Sequence, residues 1–326
     1  MTSIVRRQIA RQTLKVSRKL FRRTRVQDLT ITKRIQKMVY KFGCSANGDD
    51  VATVYRGLSL TGPARDFSII HQLFAGYYEE VEIVLFERLA TRSKVIIDIG
   101  ANIGLYSCVG AANLPEGGHL VAFEPVPENV AYLRGNITRN GLLEKVTVEA
   151  AAVGEKIGSA TIYLARGIGH HSIGAGNALG WSSSTSVPVV SLDSYLADHE
   201  IGTPDLIKID AEGYDGFVLR GAQKTLSLAP TLLIEYSPHG LENCGFSPYE
   251  LLDVIFSNYH HVFLVHEIRM RACTKQDVLR LGMKEGLGAN LLATNNDDHL
   301  AIANMMLDAH SNRAKDRSDV SVRLSP

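Results

Sequence analysis

Residues 95–107 read VIIDIGANIGLYS. The run from Val95 to Ile97 is apolar and β-branched, which favours a strand buried on both faces. It ends at Asp98 and Gly100, and around Gly104 the stretch Ile103–Ala112 reads as a helix. A strand that hands its C-terminal end to a glycine turn and then to a helix is the junction at which open α/β sheets bind ligands. Gly100 and Gly104 let the backbone turn and approach a ligand without a Cβ clash. The start of the helix aims backbone N–H groups and a partial positive charge at the same point.

The pattern continues outward. HLVAFEP (119–125) gives a second strand, Pro127–Asn140 a helix that stops at Asn140-Gly141, and KVTVEAAAV (145–153) a third strand. DLIKID (205–210) is the fourth, followed by a helix over Asp215–Leu226, and TLLIEY (231–236) is the fifth. After a helix over Pro248–Asn258 come His261–Val265 and ANLLATN (289–295) as sixth and seventh. Strands alternating with helices predict a Rossmann-like, doubly wound sheet of seven strands, mostly parallel, with helices on both faces. Ahead of it, Val51–Leu60 reads as a short strand and Glu79–Ala90 as a helix. A hairpin-like piece lies around Ser159–Tyr163. The following Arg166–Ser186 is rich in Gly, Ser and His, and its length and irregularity suggest a lid.

Two carboxylates narrow the ligand. Asp98 lies two residues before Gly100, where a pyrophosphate would be repelled and the cationic amino-acid end of S-adenosylmethionine attracted. Glu124 ends the next strand, about 20 residues past the turn, from where an acid hydrogen-bonds ribose hydroxyls. A nicotinamide-dependent oxidoreductase is the first alternative, but its fingerprint is G-x-G-x-x-G and its second glycine is Asn102 here. A non-catalytic binding module on the same fold is the second, and the presence of Asp98, Glu124 and Asp210 argues against it.

With these residues in place the sequence resembles the FkbM-type methyltransferases. The resembling segments are GYYEEVEIVLFERL (76–89), IDIGANIGLYS (97–107), VAFEPVPENVAYLRGNITRNG (121–141), PVVSLDSYL (188–196), DLIKIDAEGYDGFVLRGAQKTL (205–226) and LLIEY (232–236). Together they cover roughly residues 51–270, and K-I-D-x-E-G followed by L-R-G-A is the most specific part. The resemblance implies methyl transfer from S-adenosylmethionine, most often to a hydroxyl of a sugar, glycan or natural product. It makes Glu79 a counterpart of the family's lead-in Glu, within reach of the cofactor's amino group, and Glu79 equally reads as a helix N-terminal acid. The chain departs from the family at Asp215, where Glu is common.

The expected cofactor contacts are Glu79, Asp98, Gly100, Asn102, Gly104, Glu124 and Asp210. Methyl transfer to an alcohol also needs a base aligned with the acceptor. Asp210, at the end of the fourth strand, is the candidate, with a helix cap as its structural alternative. His171, beside His170 in the glycine-rich loop, and Glu235, at the end of the fifth strand, are further catalytic candidates. Trp181 either stacks on a sugar or anchors the loop. Lys208 alternates with Asp210 and shares its face, which equally describes a buried ion pair. Glu212 equally reads as a helix-start acid. Asp210, Glu212 and Glu235 do not form a specific ligand pattern, and no metal is expected.

The formal net charge of +1 conceals an asymmetry. Residues 1–42 hold thirteen Lys or Arg and one acid, Asp28, whereas the remainder holds 22 basic and 33 acidic residues and is net −11. Residues 1–50 therefore read as a basic arm, 51–300 as the methyltransferase domain with a lead-in over 51–93 and a loop over the pocket at 165–186, and 301–326 as a tail. The arm is either a solvated terminus or a peripheral contact for an anionic membrane surface. Nucleic acid is not expected, because no aromatic platform accompanies the charge. Cys44, Cys108, Cys244 and Cys273 are scattered, which argues against a disulfide framework or a structural zinc. With no apolar run of spanning length and no secretory leader, a cytoplasmic protein is expected.

Overall fold

The computed structural model describes residues 3–21, 38–40, 42, 50–64, 69–76, 78–165, 173, 181–266, 269–285 and 288–307. The chain folds around one sheet of eight strands. Its centre is β3 (Val95–Ile99), flanked by β4 (His119–Phe123) and β9 (Leu206–Ile209). Beyond β4 lies β5 (Val146–Glu149). Beyond β9 come β10 (Thr231–Tyr236), β13 (Ala289–Thr294), β11 (His261–His266) and β12 (Arg269–Ala272). The five strands from β5 to β10 pair in parallel, and β13 runs antiparallel between β10 and β11.

Alternation along the central strands splits the core into two layers. Ile96, Leu120 and Leu206 face a layer with Phe86 and Leu89 of helix Glu80–Ala90, Cys108 of helix Leu105–Asn113 and Leu133 of helix Pro127–Arg139. Ile97, Ile99, Phe123 and Ile209 face the other, with Leu192 and Leu196 of helix Leu192–Asp198, Val218 of helix Asp215–Arg220 and Leu251 of helix Pro248–Asn258. Burial on both faces explains why these strands are continuously apolar. The doubly wound seven-stranded arrangement expected from the sequence is present. β12 is an addition to it, a short antiparallel edge strand whose sequence, RMRA, alternates polar and apolar residues over four positions only.

Four other readings change. The lead-in is a hairpin, β1 (Asp50–Tyr55) with β2 (Leu58–Pro63), rather than one strand over Val51–Leu60. It turns at Arg56 and Gly57, both left-handed at φ 50° and 84°, the two-residue geometry that matches strand twist. The stretch 145–153 is two strands. After β5 the chain leaves the main sheet, and β6 (Ala152–Val153) pairs with β8 (Trp181–Val190), which pairs with β7 (Gly158–Ala165) in a separate three-stranded sheet. An apolar run does not mark where a strand changes partners. Residues 181–186 therefore belong to a strand rather than to an irregular loop. The helix expected over Asp215–Leu226 is two helices, Asp215–Arg220 and Gln223–Ser227.

The ends of the chain join the same core. Ala10, Leu14 and Tyr40, within the stretch read as a basic arm, are buried in the first layer, as are Ile302, Ala303 and Met306. Tyr40 meets His71 and Phe74 edge to face. The lead-in hairpin is fixed by Asn136, whose amide donates to the carbonyls of Thr61 and Ile103 and accepts from the Thr61 amide. Asn140 does the same at Ser59.

Candidate active site

A cavity of about 550 Å³ opens at the C-terminal ends of β3, β4, β9 and β10. The glycine turn forms one wall. Gly100 and Ala101 donate their amides to the Phe123 carbonyl, each at 3.0 Å, and Asp210 donates its amide to the Ile99 carbonyl at 3.0 Å. Gly100 has φ 81°, and a Cβ there would lie 1.8 Å from the Asp210 carbonyl oxygen. β3 and β9 thus close on one another at a point that only glycine fits. At Gly104, φ 88°, a Cβ would lie 2.5 Å from Leu133, so this glycine lets the helix after the turn pack.

Glu124 is buried at the end of β4 and lines the cavity. Its carboxylate accepts the Asn102 amide at 2.8 Å, the Val126 amide at 2.9 Å and the Asn129 side-chain amide at 3.3 Å. Burial outweighs these bonds and pushes its pKa up to about 7. Asn102, held in the left-handed region at φ 51°, and Asn129 also line the cavity. The side-chain carbonyl oxygens of both are buried without a hydrogen-bond partner among the described residues. Asn129 was not singled out from the sequence, where Pro127-Glu128-Asn129 reads only as a helix start.

Asp98 sits elsewhere than expected. It is fully buried and is not among the residues that line the cavity. On β3 it shares a face with Ile96, under the helix that follows, and accepts the Ser107 hydroxyl at 2.6 Å. Its other oxygen, Oδ1, has no hydrogen-bond partner among the described residues. Position near the end of a strand was legible in the sequence; the face of the strand was not used. Opposite Asp98 in register is Lys208 on β9, buried, with Nζ 3.2 Å from Asp210 and 4.4 Å from the centre of the Tyr106 ring. Burial disfavours the Lys208 charge, but Asp210, Asp98, Glu82 and Glu79 outweigh it and raise its pKa above the ordinary value.

The far side of the cavity is acidic. Glu79 lines it at the start of helix Glu80–Ala90, with φ 36°, and accepts the Tyr106 hydroxyl at 2.7 Å. Burial raises its pKa. Asp210, Glu212 and Glu235 line the same side. Burial, then the charges of Asp210, Asp215 and Glu212, push Glu235 up to about 10, so it carries its proton at neutral pH. One turn beyond Glu79, buried Glu82 accepts the Asn290 amide and is pushed up to about 8. A second cavity of about 290 Å³ lies beyond Glu79 and Glu235, with Glu82, His266 and Asn290 in its walls. Sequence reading missed Glu82 and Tyr106, although Glu79 and Glu82 stand at helical spacing.

Asp215 is not part of the lining. It is buried and accepts the amides of Ala211 at 2.9 Å and Gly213 at 3.0 Å, so it fixes the loop that carries Glu212. His170 and His171 lie outside the described residues. Trp181 opens β8.

A family model described as the methyltransferase FkbM domain matches residues 98–273, more than half of the chain. The hexuronic acid methyltransferase AglP of Haloferax volcanii is 24% identical over 161 residues, 49% of this chain and 62% of that protein. The chain thus spans about three fifths of the length of this relative. Among solved structures, the methyltransferase FkbM of Methylobacillus flagellatus KT is 18% identical over 89% of this chain and 59% of that one, with a TM-score of 0.38. An O-methyltransferase from Bacillus cereus in complex with SAH is 15% identical over 71% of this chain and 84% of that one, with a TM-score of 0.38.

Proposed function

This chain belongs to the FkbM methyltransferase family, and on that premise we propose that its cavity binds S-adenosylmethionine and serves methyl transfer to a hydroxyl of a small-molecule or glycan acceptor. One observation carries the cofactor reading. Among the described residues the acidic side chains lining the cavity outnumber the basic ones five to one. The Asn102 and Asn129 oxygens lack donors, five carboxyl groups line the walls, and Lys208, the one lining cation, is engaged by Asp210. A buried acceptor without a donor is costly, so these groups suit a ligand rich in donors and positive charge. The ribose hydroxyls, the ammonium group and the sulfonium of S-adenosylmethionine meet that description. A dinucleotide pyrophosphate does not, because it would face Glu79, Glu124 and Asp210.

In this reading Glu124 and Asn129 hold the ribose, with Asn102 beside them, and Glu79 and Asp210 face the amino-acid end. The bound cofactor supplies an electrophilic methyl group for in-line displacement. Asp210 accepts the proton of the acceptor hydroxyl as its oxygen takes the methyl group. Lys208 keeps that carboxylate in place. Glu235, protonated, donates a hydrogen bond to the acceptor rather than acting as base. The similarity to a hexuronic acid methyltransferase supports a sugar acceptor.

Calorimetry with S-adenosylhomocysteine and with NADH tests the cofactor. Binding of the first alone is expected, and binding of NADH alone would reject the reading. Mass spectrometry of reactions containing S-adenosylmethionine and neutral, amino- and carboxy-sugars then identifies the acceptor.

A further inference from the structure

The N-terminal helix Ser3–Phe21 carries Arg6, Arg7, Arg11, Lys15, Arg18 and Lys19 and no acidic residue. It meets the core through Ala10 and Leu14. At 3.6 residues per turn, Val5, Ile9 and Val16 fall within about 40° of one another, on the side away from Ala10 and Leu14. All three are solvent-exposed, at 41%, 47% and 54%. The helix is therefore apolar on two sides, and among the described residues packing against the core accounts for only one. Beside the helix, Phe42, 45% exposed, lies under the Arg6 guanidinium at 5.8 Å.

An exposed apolar stripe on a basic helix marks an interaction surface, and its two chemistries select the partner. Positive charge is concentrated at this end of the chain, thirteen basic residues against one acid over 1–42, while the rest is net −11. Nucleic acid would answer the charge but leave Val5, Ile9 and Val16 in water. An anionic bilayer answers both, with headgroups for the arginines and the acyl boundary for the apolar stripe. No described helix is long and apolar enough to cross a membrane, so the contact lies on the surface. We propose that the outer face of this helix, with Phe42 beside it, docks the protein on an anionic lipid surface.

The test is cosedimentation of the full chain with vesicles of phosphatidylcholine, alone or mixed with phosphatidylglycerol. Binding to the mixed vesicles only, weakening as salt rises, is expected. Ile9→Glu with Val16→Glu, at exposed positions, should lower the bound fraction roughly tenfold or more while the melting temperature holds. Arg7→Glu should weaken binding at low salt and leave the apolar stripe intact. No binding to the mixed vesicles, equal binding to neutral ones, or binding untouched by the double substitution each overturns the proposal. So does a wild-type dimer that the double substitution converts to monomer, or RNA binding in place of vesicle binding.

Discussion

Asp98 and Lys208 face one another in register across β3 and β9 at the centre of the sheet, both buried. Lys208 also holds Asp210 at 3.2 Å, so one ammonium neutralises a carboxylate beneath the cavity and another at its wall. Lys208→Met should therefore destabilise the fold by about 3–5 kcal/mol at neutral pH, because a buried charge is left unpaired. The loss should shrink in acid, where Asp98 takes up a proton. Urea unfolding at two pH values measures this, and an equal loss at both would show that packing rather than charge is at stake.

Glu124 and Asp215 titrate at about 7 and Glu82 at about 8, all raised by burial. A carboxyl raised in this way binds its proton more tightly folded than unfolded. Its contribution is complete below the unfolded pKa and is lost as pH rises through the folded one. The ligand-free protein should thus melt at progressively lower temperature between about pH 4.5 and about pH 8. Scanning calorimetry at constant ionic strength checks it; a melting temperature that climbs through this window contradicts the burial of uncompensated acids.

Asn129→Leu separates binding from stability. The substitution removes an oxygen that has no partner in the folded chain, together with one 3.3 Å bond to Glu124. Unfolding free energy should change by no more than about 1 kcal/mol, while affinity for S-adenosylhomocysteine falls by about 1–1.5 kcal/mol. Unchanged affinity would remove Asn129 from the proposed ribose contacts.

Gly100→Ala should cost about 3 kcal/mol or more, since its Cβ meets the Asp210 carbonyl and its φ is 81°. Gly57→Ala, at φ 84° with nothing within 4 Å, isolates the backbone term at about 1–2 kcal/mol. Equal losses in denaturant would mean that β3 and β9 can separate at the turn.

Asp210→Asn tests the chemical step once an acceptor is found. Asn keeps the shape but cannot accept the hydroxyl proton. kcat and kcat/KM should fall together by about 10²–10⁴-fold, while S-adenosylhomocysteine affinity falls far less, because Glu79 still faces the amino-acid end. A near-normal kcat would pass the role of base to His171, which lies in the same region of sequence as cavity-lining Ile173.

The sequence by itself determined the sheet and the position of the cavity. Apolar β-branched runs, the glycines at 100 and 104 and the helix starts are local signals. Parallel strands with short connections leave few ways to assemble, but the antiparallel place of β13 between β10 and β11 was not legible. Glu124 and Asp210 were legible for the same reason, because each ends a strand beside the turn. Partnership was not local. Only the tertiary structure decided that Asp98 turns beneath the cavity toward Ser107 and Lys208, that Asp215 fixes a loop, and that burial and neighbouring carboxylates raise the pKa of Glu79, Glu82 and Glu235. It also decided that Ala10, Leu14 and Tyr40 of the basic segment belong to the core. Burial and charge coupling depend on residues brought together from more than a hundred positions apart, as Asn290 is to Glu82, and no local pattern records that distance.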